Sequence, residues 1–335
     1  MEKQKKILGV QYLRGLAALA VVFCHFGSSL SSYPKLSTIF NEGQSGIYVF
    51  FLISGFIIVY SLVKSDYKPQ RFFTFLLKRS IRIDPTYWVA MLLTITVFKI
   101  LSYIPSFKGS AIAFIPGQFI AHVFYVVPFT KYAFYNHVFW TLGVEFQFYL
   151  LIGLLYFLSK KPLYKSIFVI IFCLTYLIPL PNSYYLVFTY APMFALGISL
   201  VNFYQNRNWV NSIVPAFVLL LIGVEFGVVT FILLLVSCIV ILYFNRVIKS
   251  LTFLGDISYS LYLTHSLTFV VFTGIVKKLH ANLDHNQLLW LFIEIVVAIG
   301  FAYVIYVLIE SPSLRLSKRI FYKRKKHLPV NTVSI

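Results

Sequence analysis

Residues 11–26 read QYLRGLAALAVVFCHF, a stretch apolar enough to cross a lipid bilayer that carries Arg14 near its start and His25 near its end. Runs of similar apolarity recur along the whole chain. Of the 335 residues, 59% are hydrophobic and only 12% are charged, whereas soluble domains carry about 25% charged residues. A bilayer core of about 30 Å needs about 20 helical residues per crossing. The sequence therefore predicts an all-α integral membrane protein with about ten transmembrane helices, at 8–27, 45–63, 86–104, 138–158, 164–180, 184–203, 209–224, 226–244, 255–276 and 288–309. The first run lacks a small-residue cleavage site and flows into the second, so it reads as a span and not as a removable signal.

Orientation follows from the basic residues. Lys3, Lys5 and Lys6, the block from Lys64 to Arg82, Lys160, Lys161, Lys165, Arg207, Arg246, Lys249 and the run from Arg315 to Lys326 all fall on one side of this arrangement. The opposite loops are poor in Lys and Arg, which predicts both N-terminus and C-terminus in the cytoplasm. The net charge of +19 is dispersed among these short blocks, so it encodes topology and does not point to nucleic acid. The segment PGQFIAHVFYVVPF, 116–129, is too short to span and would reverse every later loop if it did. It is expected to be an outer re-entrant or interfacial segment. In KPQRFFTFLLKRSIRIDPTYW, 68–88, basic residues alternate with apolar ones, the pattern of a basic helix lying in the cytoplasmic interface. Cys24, Cys173 and Cys238 are odd in number and widely spaced in apolar runs. They offer neither a disulfide framework nor a metal site.

Four clusters carry ionisable groups at membrane depth. Arg14 and His25 are eleven residues apart, so an ideal helix separates them by about 16 Å along its axis and only about 20° around it. They share a face with Ala18, Val21 and Val22, small side chains suited to line a cleft. Each residue alone also suits an interfacial anchor. In FWTLGVEFQFYL, 139–150, Glu145 is the only acid of its span and Trp140 stands near the boundary. Such a glutamate serves either chemistry or helix association. Arg79 and Arg82 are helical neighbours able to hold a phosphate or diphosphate, and equally able to anchor topology. In GDISYSLYLTH, 255–265, Tyr259, Tyr262 and His265 fall three apart on one side of a helix, where packing hydrogen bonds between helices are the plain alternative.

Taken in order, Arg14-x10-His25, GIYVFFLISGFII at 46–58, Arg79-x-x-Arg82 before DPTYW, WTLGVE at 140–145 and SYSLYLTH at 258–265 resemble the acyltransferase 3 family of bacterial membrane O-acyltransferases. The resemblance runs from Gln11 to about Pro312. It implies a transmembrane acyltransferase domain over 1–312, a short basic cytoplasmic tail over 313–335, and residence in the bacterial cytoplasmic membrane as a multi-pass protein. It implies acyl-CoA, most often acetyl-CoA, as donor substrate with no permanently bound cofactor. The acceptor would be a sugar hydroxyl of an envelope or exported polysaccharide or its lipid-linked precursor, with membrane lipids and polysaccharide assembly proteins as further partners. His25 would then be the general base, since a neutral imidazole suits a weakly acidic hydroxyl. Glu145 would orient or stabilise it as the acid of a triad does, although a span starting at His137 sets Glu145 about 12 Å deep, below His25. Arg79, Arg82 and Arg14 would bind the donor, and Trp140, Tyr259, Tyr262 and His265 would line the substrate path. Without the resemblance, a transporter or flippase for a lipid-linked sugar accounts for the buried charges equally well.

Overall fold

Lipid offers no partner to backbone polar groups, so an apolar chain must satisfy them within each segment. The computed structural model describes residues 7–27, 30–104, 112–156, 162–278 and 286–320, and among them the regular elements are all helical. In chain order they are α1 (Leu8–Gly27), α2 (Pro34–Asn41), α3 (Gly46–Lys64), α4 (Phe72–Leu101), α5 (Pro116–Val123), α6 (Trp140–Leu155), α7 (Pro162–Leu174), α8 (Ala191–Gln205), α9 (Trp209–Phe226), α10 (Val228–Tyr243), α11 (Lys249–Lys278), α12 (Gln287–Ile305) and α13 (Ser311–Arg319).

Seven helical stretches among the described residues, built on α1, α3, α4, α6, α9, α11 and α12, are long and apolar enough to cross a membrane. The remaining three expected spans correspond to α7, α8 and α10, of 13, 15 and 16 residues. At 1.5 Å per residue these reach only about 20 to 24 Å. The sixth begins later than expected because a left-handed Asn182 and a 3₁₀ turn at Ser183–Tyr185 precede α8. The segment 116–129 forms the eight-residue α5 and a 3₁₀ turn at Val127–Phe129, neither long enough to cross.

The basic segment 68–88 is not a separate interfacial helix. It is continuous with the third span as α4, 30 residues long with Pro85 inside it. A proline removes one backbone bond, but neighbouring helices compensate in membrane proteins, so it need not mark a boundary. The chain's last described helix likewise runs on: α12 passes through a π turn at Tyr306–Glu310 directly into α13, across Pro312.

Close packing at small residues sets the helix pairs. A Cβ on Gly255 would lie 2.2 Å from the Gln11 carbonyl oxygen, and one on Gly15 would lie 2.8 Å from the Gly255 nitrogen. These glycines let α1 and α11 touch backbone to backbone, as small residues do in membrane interfaces. On the far side, α3 packs against α8, and α8 in turn against α7 and α9. α4 lies against α13, α11 and α6. Apolar side chains such as Val224, Phe292 and Leu308 remain exposed on the periphery, the lipid-facing dress of a membrane bundle.

Candidate active site

The pairing of α1 with α11 sets the frame of the site. Gly15 faces Gly255, and ten residues further along both helices His25 meets His265, with ring centroids 5.0 Å apart. The two helices are therefore parallel. Arg14 lies near the glycine contact, at the end of the bundle where the loops rich in Lys and Arg also gather. Tyr12 of α1 ties that end together, its hydroxyl donating to the Arg246 carbonyl and accepting from the Ile248 N–H.

A cavity of about 950 Å³, counting its open mouth, lies between α1, α3, α4, α6 and α11. Arg14, Arg79, Arg82, Glu145 and Glu310 all line it, leaving a formal excess of one positive charge. The Arg79 guanidinium sits 5.5 Å from the Phe75 ring centre and 5.8 Å from that of Tyr149, the cation–π placement that holds a guanidinium in an apolar setting. One oxygen of Glu145 accepts from Ser54 Oγ at 2.6 Å and from Tyr149 OH at 2.5 Å. Glu310, only 3% exposed, accepts from both the backbone N–H and the hydroxyl of Ser260 at 3.1 and 2.6 Å. It sits on the π turn, and such irregular turns often mark functional positions in helices.

Tyr259 and Tyr262 form the α11 wall of the cavity. The Tyr259 hydroxyl donates to the Ile83 carbonyl of α4 at 3.0 Å. That of Tyr262 bonds Thr141 of α6 at 2.8 Å, while its ring meets Phe50 edge to face. Along α11 the lining ends at Tyr262, one helical turn short of His265.

Beyond Tyr262 stand the two imidazoles. His265 Nδ1 lies 2.8 Å from the Tyr262 carbonyl. A carbonyl only accepts, so that nitrogen carries the proton and Nε2 of the neutral ring is left as an acceptor. Among the described residues Nε2 is buried without a hydrogen-bond partner, and the His25 ring stands beside the imidazole. Such an orphaned acceptor is costly and calls for a functional account. Asn136, from the loop preceding α6, exchanges hydrogen bonds with Ser266 at 2.7 and 3.0 Å and so fixes this end of α11.

A family model described as an acyltransferase domain matches residues 7–307. The chain belongs to the acyltransferase 3 family. It is 32% identical over 163 residues to nodulation protein 10 of Rhizobium leguminosarum bv. viciae, covering 43% of this chain and 42% of that protein. It is 29% identical over 287 residues to ORF330 of Acidianus two-tailed virus, a protein provisionally named as an acetyltransferase, covering 77% and 82%. Acyltransferase MdmB of Streptomyces mycarofaciens is 31% identical over 157 residues, covering 44% and 39%. The chain thus spans about two fifths of the nodulation protein and of MdmB, and about four fifths of the viral protein. No solved structure gives a significant match.

In this acyltransferase 3 protein the residues singled out from sequence divide into two groups. Arg14, Arg79, Arg82, Glu145, Tyr259 and Tyr262 meet in the cavity. His25 and His265 pair outside it, one turn beyond Tyr262. Glu145 is bonded to Ser54 and Tyr149, in the cavity with the arginines, and the ring beside His25 is that of His265. Trp140 lies outside the cavity in an aromatic cluster, 4.7 Å from Tyr184 and 5.4 Å from Tyr190 between ring centres. Ser54, Glu310 and Glu294 were not foreseen. Glu294 is 5% exposed, and its Oε1 has no hydrogen-bond partner among the described residues. The signal for both glutamates was present, since each is an acid in a long apolar run, but the expected last span stopped at 309, one residue before Glu310.

Proposed function

We propose that this chain is a multi-pass membrane O-acyltransferase that takes an acyl group, most simply acetyl, from acyl-CoA at its basic end and delivers it to a sugar hydroxyl at the opposite end. The observation that carries this reading is the cavity lined by Arg14, Arg79 and Arg82, whose α11 lining ends at Tyr262, one turn before the pair of His25 and His265. With α7, α8 and α10 counted as short crossings, ten passes put the basic end in the cytoplasm, where acyl-CoA is found. The membrane is then the bacterial cytoplasmic membrane.

In this reading Arg79 and Arg82 take the phosphates of CoA, whose planar guanidiniums suit bidentate recognition. The arm of CoA runs past Arg14 along the cavity toward Tyr262. Glu145, held by Ser54 and Tyr149, balances the guanidiniums in the unloaded cavity and is not the acid of a triad. His25 accepts the proton of the sugar hydroxyl as its oxygen attacks the thioester carbon. The carbon–sulfur bond breaks, and the proton passes from the imidazolium to the departing sulfur. His265, its Nδ1–H fixed on the Tyr262 carbonyl, offers Nε2 to an N–H of His25 and leaves the other His25 nitrogen as the base.

The test is acetyl transfer by the purified full chain from radiolabelled acetyl-CoA to cell-surface polysaccharide, with mass spectrometry of polysaccharide from cells with and without the protein. Transfer that is absent in vitro, together with unchanged polysaccharide in cells, would remove the reading.

A further inference from the structure

A second concavity lies outside the arginine-lined cavity, at the end where His25 and His265 stand. Its volume is about 300 Å³, at the lower end of the range of small-molecule sites. Two loops build it, one leading from α5 to α6 and the other preceding α8. Thr130, Tyr132, Phe134 and His137 come from the first, Asn182 and Tyr185 from the second.

Both loops are held in place from behind. The Gln118 side chain donates to the Ala133 carbonyl at 2.8 Å. His122, fully buried, has Nδ1 at 2.8 Å from the Gln118 carbonyl, so its Nε2 is free to accept the Tyr135 N–H at 3.1 Å. In the second loop, Tyr190 OH donates to the Tyr184 carbonyl at 3.2 Å. Asn182 holds a left-handed backbone, φ +53°, a conformation asparagine tolerates better than most residues.

The chemistry of the lining narrows the ligand. No lysine, arginine, aspartate or glutamate lines this pocket among the described residues, so no permanently charged side chain there pairs with a phosphate, a carboxylate or an ammonium group. Three aromatic rings, Tyr132, Phe134 and Tyr185, are each half-buried and offer apolar faces. The exposed side chains of His137 and Asn182 offer imidazole and amide groups beside them, while the Thr130 hydroxyl donates to the Val127 carbonyl and accepts from the Tyr132 N–H. Flat apolar surface beside neutral donors and acceptors matches a sugar ring, which presents C–H faces and a rim of hydroxyls.

Position supplies the second argument. Asn136, next to His137 in the chain, bonds Ser266, next to His265, so the pocket floor is fastened to the helix that carries the imidazole pair. We infer that this pocket is the acceptor site, binding a neutral carbohydrate with one ring against Tyr132 and Tyr185 and one hydroxyl directed past His137 toward His25. The inference rests on the acyl-transfer reading for the fate of that hydroxyl, but the pocket itself is testable without it.

The probes are diazirine-bearing methyl glycosides of glucose, galactose, mannose and N-acetylglucosamine, applied to the full chain in lipid nanodiscs. At least one should label peptides from 130–140 or 182–190 and be competed by the plain glycoside. Tyr132→Ala, which removes a ring face, should reduce that labelling about tenfold, the scale expected for one lost aromatic contact. Ala133→Trp, an addition at an exposed position, fills the pocket without removing any side-chain contact and should reduce it at least as much. No labelling by any probe, labelling confined to other peptides, or labelling unchanged in the Trp variant would overturn the inference. Pocket labelling without acetyl transfer would keep the site and remove the transfer reading. Transfer to a glycoside that labels elsewhere would keep the transfer reading and remove the site.

Discussion

At the scale of single residues the strongest expectation concerns His25. Replacing it with Ala should leave the chain folded and lower acyl transfer by about 10²- to 10⁴-fold, the usual contribution of a general base. Activity of the parent should fall as pH drops below the imidazole pKa, because only the neutral ring accepts a proton. A folded variant acylating within a few-fold of the parent would move the role to His265. A second expectation concerns the donor end: Arg79→Lys with Arg82→Lys keeps both charges but loses the planar forks. The apparent KM for acyl-CoA should rise about tenfold or more with kcat less affected, and an unchanged KM would reduce both to topology anchors. These residues were legible because an arginine or histidine in an apolar run stands out against its surroundings. Ser54 was not, since a serine among apolar residues is ordinary. Only the fold reveals that its hydroxyl and that of Tyr149 converge on Glu145.

At the scale of elements, hydropathy located the helices well and their ends poorly. Pro85 suggested a boundary where α4 continues, and Glu310 fell just beyond an expected end where α12 passes into α13. The close pairing of α1 with α11 depends on side chains that are missing, which periodicity does not register. Gly255→Ala should therefore cost about 1–3 kcal/mol, as overpacking does, because its Cβ would stand 2.2 Å from a backbone oxygen. It should also impair transfer by shifting His265 relative to His25. Gly274→Ala in the same helix is the control, since a Cβ there meets nothing within 4 Å, and helix propensity alone favours it. Equal stability of the two variants in denaturant titrations would contradict the role of the glycine contact. The loop before α6 carries a pH dependence of its own. Burial pushes the His122 imidazole below its usual range, partly opposed by the Gln118 carbonyl. The fastened loop thus binds fewer protons than a released one, so its stability is full above about pH 6.5 and declines as pH falls below that. Hydrogen exchange over 116–137, corrected for intrinsic rates, should accelerate between about pH 7.5 and about pH 5.5, either side of the ordinary imidazole pKa. Equal protection at both would remove His122 as the fastening.

At the scale of the whole molecule the two ends differ in chemistry, and that difference requires a fixed orientation. The cavity is lined by Arg14, Arg79 and Arg82, while the neutral aromatic pocket lies at the end of His25 and His265. A donor held by phosphate contacts and an acceptor held by rings would then approach from opposite faces and meet near Tyr262. The proposed orientation, set by the basic loops, would put the first face in the cytoplasm. Lys35 precedes α3 at the imidazole end, and Lys318 lies in the last turn of α13 against the basic end, both exposed. In a background with Cys24, Cys173 and Cys238 replaced, a cysteine at 35 should react with an impermeant maleimide in intact cells. A cysteine at 318 should react only after the membrane is opened. Both positions are exposed charged surface, so neither substitution should alter folding, and the contrast reports sidedness alone. Labelling of 318 in intact cells would invert the protein, put the guanidinium cluster on the wrong side of the membrane for acyl-CoA, and leave the cavity without its proposed donor.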